Sequence, residues 1–296
     1  MSTDRLALPA LLASGERSFS FEFFPPKTVE GEAALWSAIA ELEPLRPTFV
    51  SLTYGAGGST RDLNVRVTGR IAQETSLTPV GHLTCVGATR EEVADVIRQY
   101  GDAGVHNVLA LRGDPQGGVG QKWEAHEGGM SYAADLVRLL AEIGGFSIGV
   151  AAFPEKHPEA ATLEADALRL IEKFDAGAEF AVTQFFFEAE HYFALVERVR
   201  ALGGDRPILP GIMPVTNVKQ IERMAQLSGA AMPRWLTSRL HAAEDDPQAV
   251  RAIGVEVAID LCRELLDGGA PGLHFYTLNR STATREIYAG LGIPAL

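Results

Sequence analysis

Eight short apolar runs, each followed by a stretch of helical periodicity, constrain this chain more than any other feature. They are SFSFEFF (18–24), FVSLTY (49–54), PVGHLTC (79–85), NVLALR (107–112), SIGVAAF (147–153), FAVTQFFF (180–187), ILPGIM (208–213) and GLHFYTL (272–278). Such near-continuous apolar runs are expected of parallel strands covered on both faces. Helical patterns fall at 30–42, 61–75, 89–103, 131–143, 162–176, 188–202, 216–228, 247–267 and 281–290. In the helix at 162–176, Leu163, Ala167, Leu170, Ile171 and Phe174 form one apolar stripe. Glycines at 104, 144, 177 and 203 stand where helices should stop. Strand and helix alternating eight times predict a single-domain α/β fold, a (β/α)8 TIM barrel over 18–296. Residues 1–17 read as an N-terminal extension or helix, and 229–246 as an insertion with a short helix near PRWLTSRL. An open, doubly wound sheet is the competing architecture.

The chain is 46% apolar and 22% charged, which excludes a disordered segment. Its 26 basic and 38 acidic side chains leave a net charge of −12, a poor match to a nucleic-acid backbone. Cys85 and Cys262 form neither a disulfide framework nor a metal-ligand spacing, and read as buried thiols of a reducing, cytoplasmic compartment. The first residues lack a basic n-region and a long apolar core, so no signal peptide is expected. No apolar run approaches the about 18 residues of a membrane span.

Barrel enzymes carry their chemistry at the C-terminal ends of the strands. There, Glu22 lies among Phe19, Phe21, Phe23 and Phe24. Burial among aromatics should raise its pKa and make it a general acid; the plainer alternative is a barrel-interior Glu paired with Lys or Arg. The second strand runs into Thr53, Tyr54 and a Gly-rich loop containing Ala56. His82 reads more simply as a hydrogen-bonded core histidine. Arg112, Gly113 and Asp114 end the fourth strand, where an ion pair closing the barrel is equally compatible. His157 follows the fifth strand, and Asp166, Arg169 and Lys173 share one face of the next helix, which a solvated polar face also explains. Gln184 sits beside three phenylalanines, and Arg280 follows the last strand. There is no H-E-x-x-H, G-x-S-x-G or P-loop pattern, and no metal is expected. Together these residues suit a planar, partly anionic ligand and an acid-assisted reaction.

The strings FSFEFFPPK, VSLTYGAGG, HLTC, LALRGD, AAFPEKHPEA, TQFFF, PGIMPVTN and HFYTLNR occur in this order. In combination they resemble the methylenetetrahydrofolate reductase family over about residues 18–292. The resemblance implies reduction of 5,10-methylenetetrahydrofolate to 5-methyltetrahydrofolate by NADH or NADPH, with FAD carrying hydride in a ping-pong sequence. It also implies a bacterial-type catalytic barrel acting in one-carbon metabolism and methionine supply, and a homo-oligomer, dimer or tetramer. By this match Glu22 is the general acid, and Asp114 the carboxylate near the flavin and pterin rings. Thr53, Tyr54, Ala56, His82, Arg112, Gly113, Asp114, Tyr132, Ala133, His157, Asp166, Arg169 and Lys173 fall on FAD-contact positions. Glu22, Asp114, Gln184, Tyr192, Met224 and Arg280 fall on substrate positions. Arg169 replaces the more usual Asn, and Met224 a Phe.

Other readings stay open on the residues alone. One is a pterin-binding barrel methyltransferase; others are a flavin-independent relative of the reductase, a barrel aldolase using Lys173, and a non-catalytic subunit.

Overall fold

A computed structural model describes residues 8–54, 61–115 and 121–293. Eight parallel strands close in sequence order into a barrel: β1 Ser18–Phe23, β2 Phe49–Leu52, β3 Pro79–Thr84, β4 Asn107–Leu111, β5 Ser147–Ala152, β6 Phe180–Phe185, β7 Ile208–Ile212 and β8 Gly272–Tyr276. Each lies inside one of the eight apolar runs, and closure of β8 onto β1 excludes the open sheet.

The outer ring comprises α2 Val29–Leu42, α3 Arg61–Glu74, α4 Arg90–Asp102, α5 Ala133–Ile143, α6 Leu163–Asp175, α7 Ala189–Ala201, α8 Val218–Ser228, α10 Pro247–Asp267 and α11 Thr282–Gly290. Side-chain caps explain where several begin. Thr28, Thr162 and Asn217 accept hydrogen bonds from the first turns of α2, α6 and α8, and Thr89 with Glu92 makes a capping box on α4. On α6 the stripe buries Ala167, Leu170 and Phe174, whereas Leu163, the first residue of the helix, is exposed. The insertion after α8 carries α9, Arg234–Ala242.

Period-two alternation gives each strand an outer and an inner face. Phe21, Phe23, Leu83, Val108, Val150 and Phe275 face the helices in the main core. A separate apolar plug contains Phe49, Val80, Leu109, Phe180, Val182 and Leu209, together with Leu8 and Leu12 of α1, Leu8–Ala13. The N-terminal helix thus closes the barrel floor. Above this plug the inner face turns polar, and that change of layer places the site.

Candidate active site

Glu22 stands at the centre of the polar layer. The phenylalanines beside it in sequence point outward, while its carboxylate points into the barrel. Ser51, its register partner on β2, donates to Oε2 at 3.4 Å. His274 Nε2 lies 3.2 Å from the same oxygen and His82 Nε2 3.4 Å. Burial alone would raise the carboxyl pKa. The charge of His82 and the hydrogen bond to His274 outweigh it and hold the group at about 2. The expectation of a raised pKa is therefore corrected: the barrel surrounds Glu22 with imidazoles, not aromatic hydrocarbon. Nor is its partner Lys or Arg. His82 joins this group, and is not among the cofactor-cluster residues around Lys173.

Below Glu22, Ser20 Oγ lies 2.8 Å from His274 Nδ1, and the His274 ring stacks on Phe49 with centroids 5.6 Å apart. A fully buried Asn64 on α3 braces the neighbouring strand ends. Its amide donates to the carbonyls of Leu52 (3.2 Å) and Thr53 (2.6 Å). The Tyr100 hydroxyl sits between Asn64 Oδ1 and the His82 carbonyl, at 2.7 and 2.8 Å. A side chain at Gly81 would collide with the Tyr100 ring, so that position requires glycine.

A second cluster gathers where β4, β5 and α6 meet. The Lys173 ammonium reaches inward to the Ala151 carbonyl. Desolvation depresses its pKa to about 8, although Asp166 favours the charged form. Burial raises the Asp166 pKa, and its carboxylate accepts from His157 N at 3.2 Å. Burial, then Arg112, lowers that of His157. Arg112 forks onto exposed Glu159 at 2.7 and 2.8 Å and lies 5.1 Å from the Trp123 ring centroid. Arg169 pairs with Glu172 and lies 5.1 Å from the ring centroid of Tyr132, the residue before Ala133 at the start of α5. Gly113 has a positive φ of 88°, and a Cβ there would meet Val86 and Thr84. The Thr84 hydroxyl is buried without a hydrogen-bond partner among the described residues.

The β6–β8 side is apolar. Phe185, Phe187, Met213 and Val215 pack together, with Met224, Tyr276 and Leu278 against them. Gln184 lies where the β6–β7 register shifts, and its Oε1 accepts from Phe185 N at 3.0 Å. Tyr276 donates to the Thr183 carbonyl at 2.6 Å and meets the His274 ring edge-on. Asp114 and Arg280 are exposed at the mouth, and Thr53 and Tyr54 are half-buried at the end of β2. Tyr192 is not brought to the mouth. It is buried in the main core against Phe186, and its hydroxyl donates to the carbonyl of Ile208, the first residue of β7. Ala56 lies outside the described residues.

Ser20, Ser51, Asn64, Tyr276 and His274 escaped the sequence reading; the inward alternation of Ser20 with Glu22 was the one available signal. A groove of about 500 Å³ along α10 lies on the outside of the barrel. Its charges include the surface pairs Arg251–Glu286 and Arg263–Asp260, and it shows no convergent set comparable to the mouth.

The profile of the family described as Methylenetetrahydrofolate reductase matches residues 7–292. A 5,10-methylenetetrahydrofolate reductase of Pectobacterium carotovorum subsp. carotovorum is 42% identical over 297 residues, covering 99% of this chain and 96% of the relative. The protein of the same name from Escherichia coli (strain K12) is 40% identical over 294 residues, covering 99% and 97%. Among solved structures, a Clostridium thermocellum protein described as binding two copies of 5-methyl-5,6,7,8-tetrahydrofolic acid aligns with a TM-score of 0.64. It is 15% identical, over 96% of this chain and 97% of that one, and so attests the fold.

Proposed function

The chain belongs to the methylenetetrahydrofolate reductase family, and from that premise we propose an FAD-dependent reduction of 5,10-methylenetetrahydrofolate to 5-methyltetrahydrofolate by NADH or NADPH. The observation that carries this reading is a buried carboxylate in a polar barrel layer, in a barrel that also gathers Lys173, Arg112 and His157 at the ends of β4 and β5 and an apolar wall at the ends of β6 to β8.

The residues present fit FAD. A phosphate-bearing ligand needs cationic and N–H donors, which Lys173, Arg112, His157 and the start of α5 supply. The unpartnered Thr84 hydroxyl and the close-packed backbone at Gly113 suit a flat ring system laid against the strand ends. Bound there, FAD supplies two-electron hydride chemistry between the nicotinamide and the folate.

The protein's own part is positioning and proton management. Opening the folate imidazolidine ring needs a proton on the departing nitrogen, and Glu22, an ionised carboxylate in the free barrel, is the buried group that would pass one on once it has been protonated. The Gln184 carbonyl is taken by Phe185, which leaves its NH2 as the half of the amide for a pterin or nicotinamide acceptor. Met224, Phe185 and Tyr276 form an apolar wall able to exclude water from the reacting face. Asp114 at the mouth provides a carboxylate for the pterin's N–H donors.

The purified protein should show a flavin absorption spectrum, bleach with NADH or NADPH, and regain colour on adding methylenetetrahydrofolate. Parallel double-reciprocal lines are expected where the nicotinamide and folate take turns at one site. A colourless protein that reduces the folate would remove FAD; intersecting lines with a detectable ternary complex would remove the shared site.

A further inference from the structure

The acid in this barrel is not an isolated carboxylate. Ser20 Oγ, His274 and Glu22 Oε2 form one buried hydrogen-bonded line, with contacts of 2.8 Å at Nδ1 and 3.2 Å at Nε2. The three residues are 0%, 1% and 5% exposed, so the line is closed off from bulk solvent. We propose that His274 is the proton reservoir of Glu22, with Ser20 fixing its tautomer. The proposal rests on the reductase reading, and extends it to a positioning residue behind the acid.

The tautomer follows from where the serine hydrogen goes. Ser20 Oγ also lies 3.4 Å from the Leu273 carbonyl, which can only accept. With its hydrogen given there, the serine oxygen accepts from His274, and Nδ1 carries hydrogen permanently. Nε2 is then the nitrogen that gains and loses a proton, and it faces Glu22. Ring orientation is fixed from two further sides, by the Phe49 stack and by the edge-on Tyr276 ring.

The other titratable neighbours are accounted for. His82 approaches from β3 at 3.4 Å without the alignment of a hydrogen bond. Tyr276 on β8 has its pKa raised well above the ordinary value by burial and then by Glu22, and it donates to the Thr183 carbonyl. His274 is the nearer imidazole and the one hydrogen-bonded to Oε2, at 3.2 Å.

The step balances with one proton. The Nε2–H bond breaks as the Oε2–H bond forms, leaving neutral imidazole beside a neutral carboxyl. The Oε2–H bond then breaks as the folate nitrogen gains its hydrogen, and the N–C bond electrons of the ring go to that nitrogen. After the product leaves, a solvent proton enters through Glu22 and returns to Nε2. The net uptake is the one proton that NAD(P)H-dependent reduction of the methylene group requires.

His274→Gln keeps a hydrogen-bond donor against Glu22 but cannot take up a proton. We expect it to slow the folate half-reaction by about 10- to 100-fold, with flavin reduction by NADH within about twofold of wild type. The pH profile of the folate step should also change shape. A variant whose folate step keeps the wild-type pH profile makes His274 structural and overturns the proposal. Ser20→Ala, a smaller change, should displace the same profile, and an unchanged profile again counts against the relay. Independently of turnover, histidine rings labelled with 15N should show hydrogen on His274 Nδ1 at every pH from about 5 to 9, and the Nε2 signal should move in Glu22→Gln. Hydrogen absent from Nδ1, or an Nε2 signal indifferent to that substitution, overturns the assignment. A wild-type protein that reduces no methylenetetrahydrofolate would instead defeat the reductase reading, a result separate from any of these.

Discussion

Thr277 grips the main chain of Glu22 twice: its N–H and its hydroxyl both donate to the Glu22 carbonyl, at 3.1 and 2.7 Å. The backbone of the acid is therefore held independently of its carboxylate. Changing the side chain tests chemistry with little disturbance of the strand.

Glu22→Gln keeps the shape and removes the deliverable proton. Flavin reduction by NADH should survive, while folate reduction falls by roughly 100-fold or more, the usual scale for a general acid. Stopped-flow measurement separates the two half-reactions. Equal losses in both would mark Glu22 as a structural residue.

The same carboxylate gives the fold an acid-side dependence. Its pKa is lowered from 4.5 to about 2 in the folded chain, so the unfolded chain binds the proton more readily. The stability it contributes is complete above the unfolded value and is lost as pH falls through the folded one. Urea midpoints of wild type and Glu22→Gln should therefore converge between about pH 4.5 and 2. A difference that stays constant over that window would contradict the depressed pKa.

The barrel was legible in the sequence because each strand carries its own apolar run and period-two alternation acts locally. Glu22 was legible as a residue but not in its environment. Its sequence neighbours Phe21 and Phe23 point outward, while its partners come from strands 29 and 252 positions away through Ser51 and His274. The Lys173, Asp166 and His157 cluster was readable because two members share one helix face and the third precedes that helix by a short loop. Tyr192 is a different case. Its match to a family position suggested a substrate contact, and the first turn of α7 lays it against Phe186 in the core. Asn64 left no local signal, since its partners are carbonyls on another element and a tyrosine on α4.

Lys173 should govern flavin retention. With a pKa near 8 its ammonium is charged below that pH and neutral above it, so its hold on a phosphate should weaken as pH rises through about 8. Lys173→Ala should release flavin more readily on dilution and lose this pH dependence, with an unchanged circular-dichroism spectrum. Wild-type retention in the variant would remove Lys173 from the cofactor cluster.

Leu8 tests the floor. It is fully buried against the lower barrel plug, so Leu8→Ala should cost about 2–5 kcal/mol of stability. Urea unfolding would measure it. A loss under about 0.5 kcal/mol, the scale of ordinary surface changes, would show that α1 does not seal the barrel.

Asp114 follows Gly113 at the mouth, exposed, where its carboxylate can act on a bound ring without being buried itself. In the proposed flavin site its negative charge opposes the charge a flavin gains on reduction, holding the potential down and keeping the reduced cofactor a strong hydride donor. Water screens an exposed charge, so the effect should be moderate. Asp114→Asn removes the charge at constant size, and the midpoint potential should rise by roughly tens of millivolts, where about 30 mV is a tenfold change in a two-electron equilibrium. The folate half-reaction should slow as its driving force falls, and reduction by NADH should be spared. Equilibration with a reference dye measures both potentials. An unchanged or lower value in the Asn variant would remove the electrostatic role and leave Asp114 as a hydrogen-bond partner for the pterin. In that case folate affinity, read as KM, would weaken while the potential stayed where it was.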